Sequence, residues 1–431
     1  SAKTHDDFEY YHFAYIHLLT TEPTIYGIGN FNHGFRTPSS IFYLSSLFYL
    51  PKVGYDLIHI APVFFLGFAN FILIEKINFL RKVKKNHFII LLSLISLIII
   101  NIFFYRMAEH GTDRSAQIII FLIIIELLYF LNTKNIENSF LEKLFILIVL
   151  CISLKSLYVI YLLLFLPILF YQTEKISYLV NLTMNKVFIF SIFFIFLIFG
   201  FSVINTGCAI YPLNLSCFGD LPWSLSEHHV IKANNHYELW AKGGMSPNFK
   251  VENPLDHIRY FNWVPNWLDI YFFNKVSDYL YSLLFIVGLF LFVFKGKYQP
   301  NIKKIKYKFI YIILLIFFSE WFYNHPSLRY GGYSLIALII FIPFCAFLEN
   351  NINLRFFSKK ITILLVLIFT IFVARNLQRI DKEYNVYQYN VIKNPSYDKK
   401  FENYVMYDSV MKSKNMNTKK FLNREFLYYQ K

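Results

Sequence analysis

The sequence predicts an all-α polytopic membrane protein. Three observations carry that prediction: long apolar runs without charge, basic residues gathered between those runs, and no motif of a nucleotide-driven soluble domain. The 431 residues are 56% hydrophobic, 20% aromatic and only 16% charged, so several stretches have no water-facing side to offer. A bilayer core about 30 Å thick takes roughly 20 apolar residues per helix, and lipid offers exposed backbone groups no partner, so such runs cross as helices. The runs fall at about 56–75, 88–105, 116–132, 144–154, 157–171, 187–204, 278–295, 309–323, 330–348 and 361–375, which gives about ten transmembrane helices. The two limbs around Lys155 are short, so they form either a hairpin or one long bent helix. The chain opens at Ser1 as a loop, and a further helix is expected upstream of it.

The formal charge of +15 does not point to nucleic acid, because the lysines lie in short segments between apolar runs. There they act as topology signals, and the bilayer is the partner they imply. By the positive-inside rule, the segments holding Lys76, Arg81, Lys82, Lys84 and Lys85, and Lys295 through Lys308, face the cytoplasm, and alternation adds Arg355, Lys359 and Lys360. The same parity places residues 1–55, about 106–115, 205–277, 320–329 and the tail outside. The organisation is a membrane domain over 1–380, with a first outer loop (1–55) and a large outer loop (205–277), followed by a Tyr/Lys-rich appendage over 381–431. No G-x-x-x-x-G-K-[ST] motif occurs, which removes the simplest case for an ATP-driven pump. Cys208 and Cys217 sit nine residues apart in the large loop, where a disulfide requires an oxidising compartment.

The opening segment His5-Asp6-Asp7-Phe8-Glu9-Tyr10-Tyr11-His12 crowds three carboxylates and two histidines just before a weakly amphipathic stretch near 8–20. Carboxylates are costly beside lipid unless a water-filled space, a cation or a substrate compensates them; the plainer reading is a solvated loop with Asp6 or Asp7 capping a helix. A Gly/Asn turn (Tyr26-Gly27-Ile28-Gly29-Asn30) follows, then Arg36-Thr37-Pro38-Ser39 and a short apolar segment at about 39–50, too short to span.

An acidic pair, an E-x-Y-Y-type helix, a Gly-rich turn, a basic residue before Pro and a Ser-Ile-Phe-Tyr-Leu helix together resemble the first outer loop of the GT-C superfamily. These are integral-membrane glycosyltransferases that use polyprenyl-phosphate-linked sugars, such as the aminoarabinose and protein O-mannosyl transferases. The motif likeness covers about 50 residues directly, and Ser39 stands where the family pattern has a second Pro. The resemblance implies two juxtamembrane helices in the first outer loop, a catalytic Asp7 or Asp6 with Glu9 beside it, and a lipid-linked sugar donor. The acceptor, a glycan, lipid or protein, loses a proton while a phosphate departs, so a carboxylate base and an arginine clamp suffice. No cofactor is required, and a divalent metal is left open.

Other outer segments supply the remaining candidates. Arg106 and Arg114 flank Glu109, His110 and Asp113; the arginines suit an anionic headgroup through bidentate pairing, and His110 and Asp113 suit sugar hydroxyls, or the four charges pair with one another. Arg329 lies in an irregular Pro/Gly turn with His325 and reads as a further phosphate ligand. In the large loop, Trp223 offers a face for a sugar ring, though Trp also favours membrane interfaces for its own sake. Together, Arg36, Arg106, Arg114 and Arg329 would hold the donor phosphate, and Glu9, His12, His110, Asp113, His325 and Trp223 the sugar or acceptor. Glu227, His228, His229 and His236 fit no zinc spacing. The expected function is sugar transfer on the outer, periplasmic face of a bacterial cytoplasmic membrane; the alternatives are a polysaccharide or lipid translocator and an O-antigen polymerase.

Overall fold

The computed structural model describes residues 7–105, 107, 111–133, 138–171, 183–294, 296, 307–388, 390, 412, 416–421 and 424–429. The chain is mostly helical. Six helices are long and apolar enough to cross a membrane: Ile60–Val83, Thr112–Thr133, Lys186–Thr206, Val264–Phe294, Gly332–Asn351 and Phe357–Val386. Shorter apolar helices accompany them, His87–Phe103 and Ser156–Phe170, together with Asn138–Leu154 and Lys308–Asn324.

Helices of equal apolarity divide into two roles. His87–Phe103 has an unbroken buried stretch from Phe88 to Asn101, and the apolar window of Thr112–Thr133 is 78% buried, so these two form the axis of the bundle. A helix that is hydrophobic all round needs either protein or lipid on every side. The corresponding window of Lys186–Thr206 is only 17% buried, and Phe190, Phe193 and Phe196 point outward from it. Asn185 starts that helix by accepting from the Val187 and Phe188 amides, and Gly207, at φ 82°, ends it.

Around Lys155 the chain makes a hairpin. Asn138–Leu154 is followed by the 3₁₀ segment Ser156–Phe165 and the helix Leu166–Tyr171. Phe145 and Phe165, ten residues to either side of the turn, stack with ring centroids 4.0 Å apart. Lys155 is therefore at the apex of two antiparallel limbs, not inside one bent helix.

The connecting segments sort to two ends of the bundle. At one end, Arg81 donates to Thr362 Oγ1 (2.9 Å), the Phe88 amide to Glu349 (3.1 Å), and Lys360 to the Val293 carbonyl (2.6 Å), which gathers the basic segments. At the other end lie the first loop and the large loop. The Gly27 amide donates to the Ile204 carbonyl at 2.7 Å, and Asn205 donates to the Tyr15 hydroxyl (2.7 Å) and the Phe35 carbonyl (3.0 Å). The first loop contains helices Phe13–Thr21 and Ser40–Ser46; Ser39 begins the second and donates its hydroxyl to the Leu154 carbonyl at the hairpin apex (2.7 Å). Gly27 has φ 77°, and a β-carbon there would lie 2.7 Å from Trp223 Cβ, so only glycine lets the two loops close. The end of the chain joins this same face: strand Arg424–Tyr429 pairs antiparallel with Met416–Phe421 and parallel with Ile25–Tyr26. Cys208 and Cys217 are bridged.

The two-ended arrangement predicts opposite labelling of cysteines placed at Lys82 and Lys250, both exposed and at opposite ends. The native cysteines are buried or bridged and give little background. A membrane-impermeant maleimide should reach Lys250→Cys from one side of sealed vesicles and Lys82→Cys only from the other. Labelling of both from one side would refute the arrangement.

Candidate functional site

At the loop-rich end, Asp113 is the centre of a charged cluster drawn from four distant parts of the chain. It lies in the first turn of helix Gly111–Thr133 and is 6% exposed. Its Oδ1 pairs with the Lys155 ammonium from the hairpin apex, and its Oδ2 accepts from Arg329 Nε at 2.5 Å. Arg329 Nη2 then reaches Asp7 Oδ2 at 2.8 Å. The sequence of charges is Lys155, Asp113, Arg329, Asp7, alternating in sign and summing to zero. A carboxylate buried among helices needs such compensation, and here two cations supply it. Lys155 also stands 4.4 Å over the Tyr330 ring, where the aromatic face adds to its stabilisation.

The turn carrying Arg329 is held from three directions. Gln117, one turn below Asp113, donates to the Leu328 and Arg329 carbonyls (3.3 and 2.9 Å) and accepts from the Ser334 amide (3.2 Å). Trp267 donates to the Pro326 carbonyl (2.8 Å) and Trp321 to the Ser327 carbonyl (2.8 Å). The Tyr271 hydroxyl accepts from the Leu328 amide (2.8 Å). A non-helical turn near lipid needs its backbone groups satisfied by protein, and side chains of neighbouring elements do so here. The guanidinium is thus presented from a rigid base.

Asp7 precedes a π-helical turn, Phe8–His12, and its carboxylate makes no cap bond to that turn. Tyr11 of this turn stands next to the cluster; burial, reinforced by the Asp7 charge, pushes its phenol well up. Tyr330 is pushed up to about 12 by burial, with Arg329 opposing. Beyond Tyr11 lies a second arm. Arg36 donates from Nε to the Gly29 carbonyl (2.8 Å) and from Nη1 to the Tyr211 hydroxyl (3.3 Å). Tyr211 is hydrogen-bonded in turn to Tyr237, and Tyr237 sits where the arms meet, acted on by Tyr211, Arg36, Tyr330 and Tyr11. His33 and His236 complete this rim. Burial lowers both, with Arg36 and then His236 adding to the effect at His33, so both imidazoles are neutral at pH 7.

The residues singled out from sequence divide accordingly. Asp7, Arg36, Asp113 and Arg329 are brought to one region. Arg114 is on the same helix as Asp113, but its charge falls on Tyr333. His12 packs among aromatic rings, edge-on to Tyr11 at 4.4 Å and 5.1 Å from Phe42. Trp223 donates its indole N–H to the Val203 carbonyl (3.0 Å) and lies against Tyr26, fastening the large loop to the first. His325 packs 5.9 Å from Tyr330. Asp6, Arg106 and His110, and the side chain of Glu9, lie outside the described residues. Among the described residues no group of three or more His, Cys, Asp or Glu is placed to hold a metal ion. Lys155, Tyr11 and Tyr330 were not foreseen as site residues. For Lys155 a signal existed, since it is the only charge between two apolar limbs spanning 144–171.

A helical membrane bundle with a neutral four-charge cluster and an arginine-tyrosine arm at its loop-rich end defines a membrane protein whose site is assembled from interhelical segments. Residues 1–336 match the family described as Domain of unknown function (DUF8201), and the chain belongs to that family. No curated protein and no solved structure matches the chain. The matched span contains Asp7, Arg36, Asp113, Lys155 and Arg329 and stops before the last long helix and the terminal hairpin.

Asp113→Asn strands the Lys155 ammonium and should destabilise by about 3–5 kcal/mol, whereas adding Lys155→Met should recover much of that loss. Thermal unfolding of the purified protein reads this, and additive losses in the double variant would refute the pairing. Burial lowers the His325 imidazole to about 4, with Lys155 and Lys242 adding to it and Glu238 opposing. Between an ordinary histidine's range near 6.5 and that value, the unfolded chain takes up a proton that the folded one does not. Stability should therefore fall as pH drops from about 6.5 towards 4, by about 3 kcal/mol in all, and level off below. His325→Gln should flatten that part of the pH profile, and an unchanged slope would assign it to other groups.

Proposed function

We infer that the protein is a membrane glycosyltransferase of the GT-C kind, moving a sugar from a polyprenyl-phosphate or pyrophosphate carrier to an acceptor outside the cytoplasm. The observation that carries this reading is the meeting of Asp7 with Arg329, 322 residues apart in sequence, with Arg36 held on the adjoining rim. In this reading ten apolar segments cross the membrane, the basic segments face the cytoplasm, and the site faces out. The Cys208–Cys217 bridge fits an oxidising outer compartment.

The chemistry follows from the residues. An acceptor hydroxyl attacks the anomeric carbon, Asp7 takes its proton, and the bond from that carbon to the phosphate oxygen breaks. The departing phosphate gains charge, which Arg329 and Arg36 stabilise as fixed guanidinium donors. Asp113 and Lys155 hold Arg329 in place without leaving the bundle. Tyr237 offers a hydroxyl beside Arg36 for a sugar, and the buried Tyr211 bonds both from behind. An apolar cavity of about 370 Å³, lined by Ile102, Phe103, Tyr281, Ser282, Phe285 and Ile286, suits a stretch of polyprenyl chain. It adjoins Tyr279, whose hydroxyl donates to the Tyr333 carbonyl just past the Arg329 turn (2.6 Å).

The translocator reading draws on Glu126, the clearest charge within a span. That carboxylate is met by Lys76 at 2.6 Å and Lys143 at 3.3 Å, which makes it a tie between helices and not an open step on a path.

In membranes supplied with polyprenyl-phosphate donors carrying a radiolabelled sugar, Asp7→Asn should reduce transfer by about 10²–10⁴-fold, the usual contribution of a positioned base. Arg329→Gln should reduce it comparably. Undiminished transfer by Asp7→Asn would remove the assignment of the base.

A further inference from the structure

The two carboxylates on Arg329 are not equivalent. Asp113 has a side chain only 8% exposed and is held by two cations, Lys155 and Arg329. Asp7 has a side chain 26% exposed and meets Nη2 of an Arg329 side chain that is itself 47% exposed. Withdrawing Asp113 would leave a buried ammonium uncompensated, which is expensive. Withdrawing Asp7 exposes two groups that already touch water, and exposed ion pairs are weak. The terminal nitrogens of Arg329 are also the ones a phosphate uses, since phosphate oxygens match the guanidinium edge better than a single carboxylate oxygen does.

We propose that Asp7 occupies the anion seat of Arg329 in the ligand-free protein and is exchanged for a phosphate oxygen when an anionic ligand arrives, Asp113 keeping the arginine in place throughout. This rests on the reading of the site as one that binds a phosphate leaving group, and adds to it an order of events. The Asp7 oxygen that engages Arg329 is not free to meet an acceptor hydroxyl, and phosphate binding releases it. The base then becomes available only when the donor is seated. The ligand chemistry is a phosphate or pyrophosphate monoester; a lipid carrier and a free anion share it.

The exchange predicts an unusual sign, in that deleting a site residue tightens binding. Inorganic pyrophosphate is titrated onto the full-length protein in detergent, with the thermal midpoint as readout. Asp7→Asn should bind pyrophosphate up to about five-fold more tightly than the unsubstituted protein, the range expected when an exposed competing pair is removed. Arg329→Gln should lose the binding, alone or combined with Asp7→Asn. Asp269→Asn removes an equal charge from an exposed position on the segment Leu268–Val276, where Tyr271 and not Asp269 bonds the Arg329 turn, and should leave the affinity unchanged. Repeating the series with a short-chain polyprenyl phosphate in place of pyrophosphate separates the two sources: equal affinity assigns the seat to the phosphate alone, and a gain assigns part of it to the lipid. Unchanged or weaker pyrophosphate binding by Asp7→Asn, an equal gain in Asp269→Asn, or binding that survives Arg329→Gln would each overturn the exchange. Tighter pyrophosphate binding by Asp7→Asn without any sugar transfer by the unsubstituted protein would instead leave the exchange standing and remove the transferase reading.

Discussion

A carboxylate sunk at the end of a helical bundle must be matched by cations, and Asp113 is matched by two that come from far along the chain. Lys155 sits at the apex of a hairpin between two apolar limbs, and Arg329 in a turn between two more. Each would be unfavourable where it lies without Asp113. The three charges therefore lock hairpin, turn and central helix into one register, and the rest of the loop-rich end is arranged around them. The Gln117 and tryptophan bonds that hold the Arg329 turn act in the same direction, since they fix the backbone from which the guanidinium reaches outward.

The locked charges have a free margin. Arg329 extends past Asp113 into a more exposed region, where Asp7 meets it and where Tyr11, Tyr237 and Arg36 continue the polar surface, backed by the buried Tyr211. Neutral imidazoles at His33 and His236 border it, so among the described residues the surface offers hydrogen-bonding groups, guanidinium charge and the Asp7 carboxylate. The two loops that build it are closed on each other by Gly27 against Trp223 and by Asn205 against Tyr15. Trp223 takes part in that assembly, through its indole N–H on the Val203 carbonyl and its packing against Tyr26.

Much of the arrangement was readable because membrane insertion imposes local rules. Apolar runs, basic segments and the parity between them follow from the bilayer, and among the described residues the structure gathers Arg81, Glu349 and Lys360 at one end and Asp7, Arg36, Asp113 and Arg329 at the other. The number of crossings was less legible: Asn138–Leu154 and Ser156–Phe170 are short, and no length rule distinguishes a hairpin from a bent helix. The stacking of Phe145 on Phe165 does so. His12 illustrates a different difficulty, for a histidine among acidic residues reads as a ligand until the rings around it are known.

By itself, the sequence determined that this chain is a helical membrane protein with Asp7, Arg36, Asp113 and Arg329 on one set of interhelical segments, because hydropathy and charge placement are properties of consecutive residues. Only the tertiary structure decided which apolar helices are interior and which are left exposed at the bundle surface, and that Lys155 shares Asp113 with Arg329. Those outcomes depend on which surfaces meet across hundreds of residues. A fully apolar helix gives no face by which to tell protein from lipid, and an isolated lysine carries no mark of the carboxylate it will find.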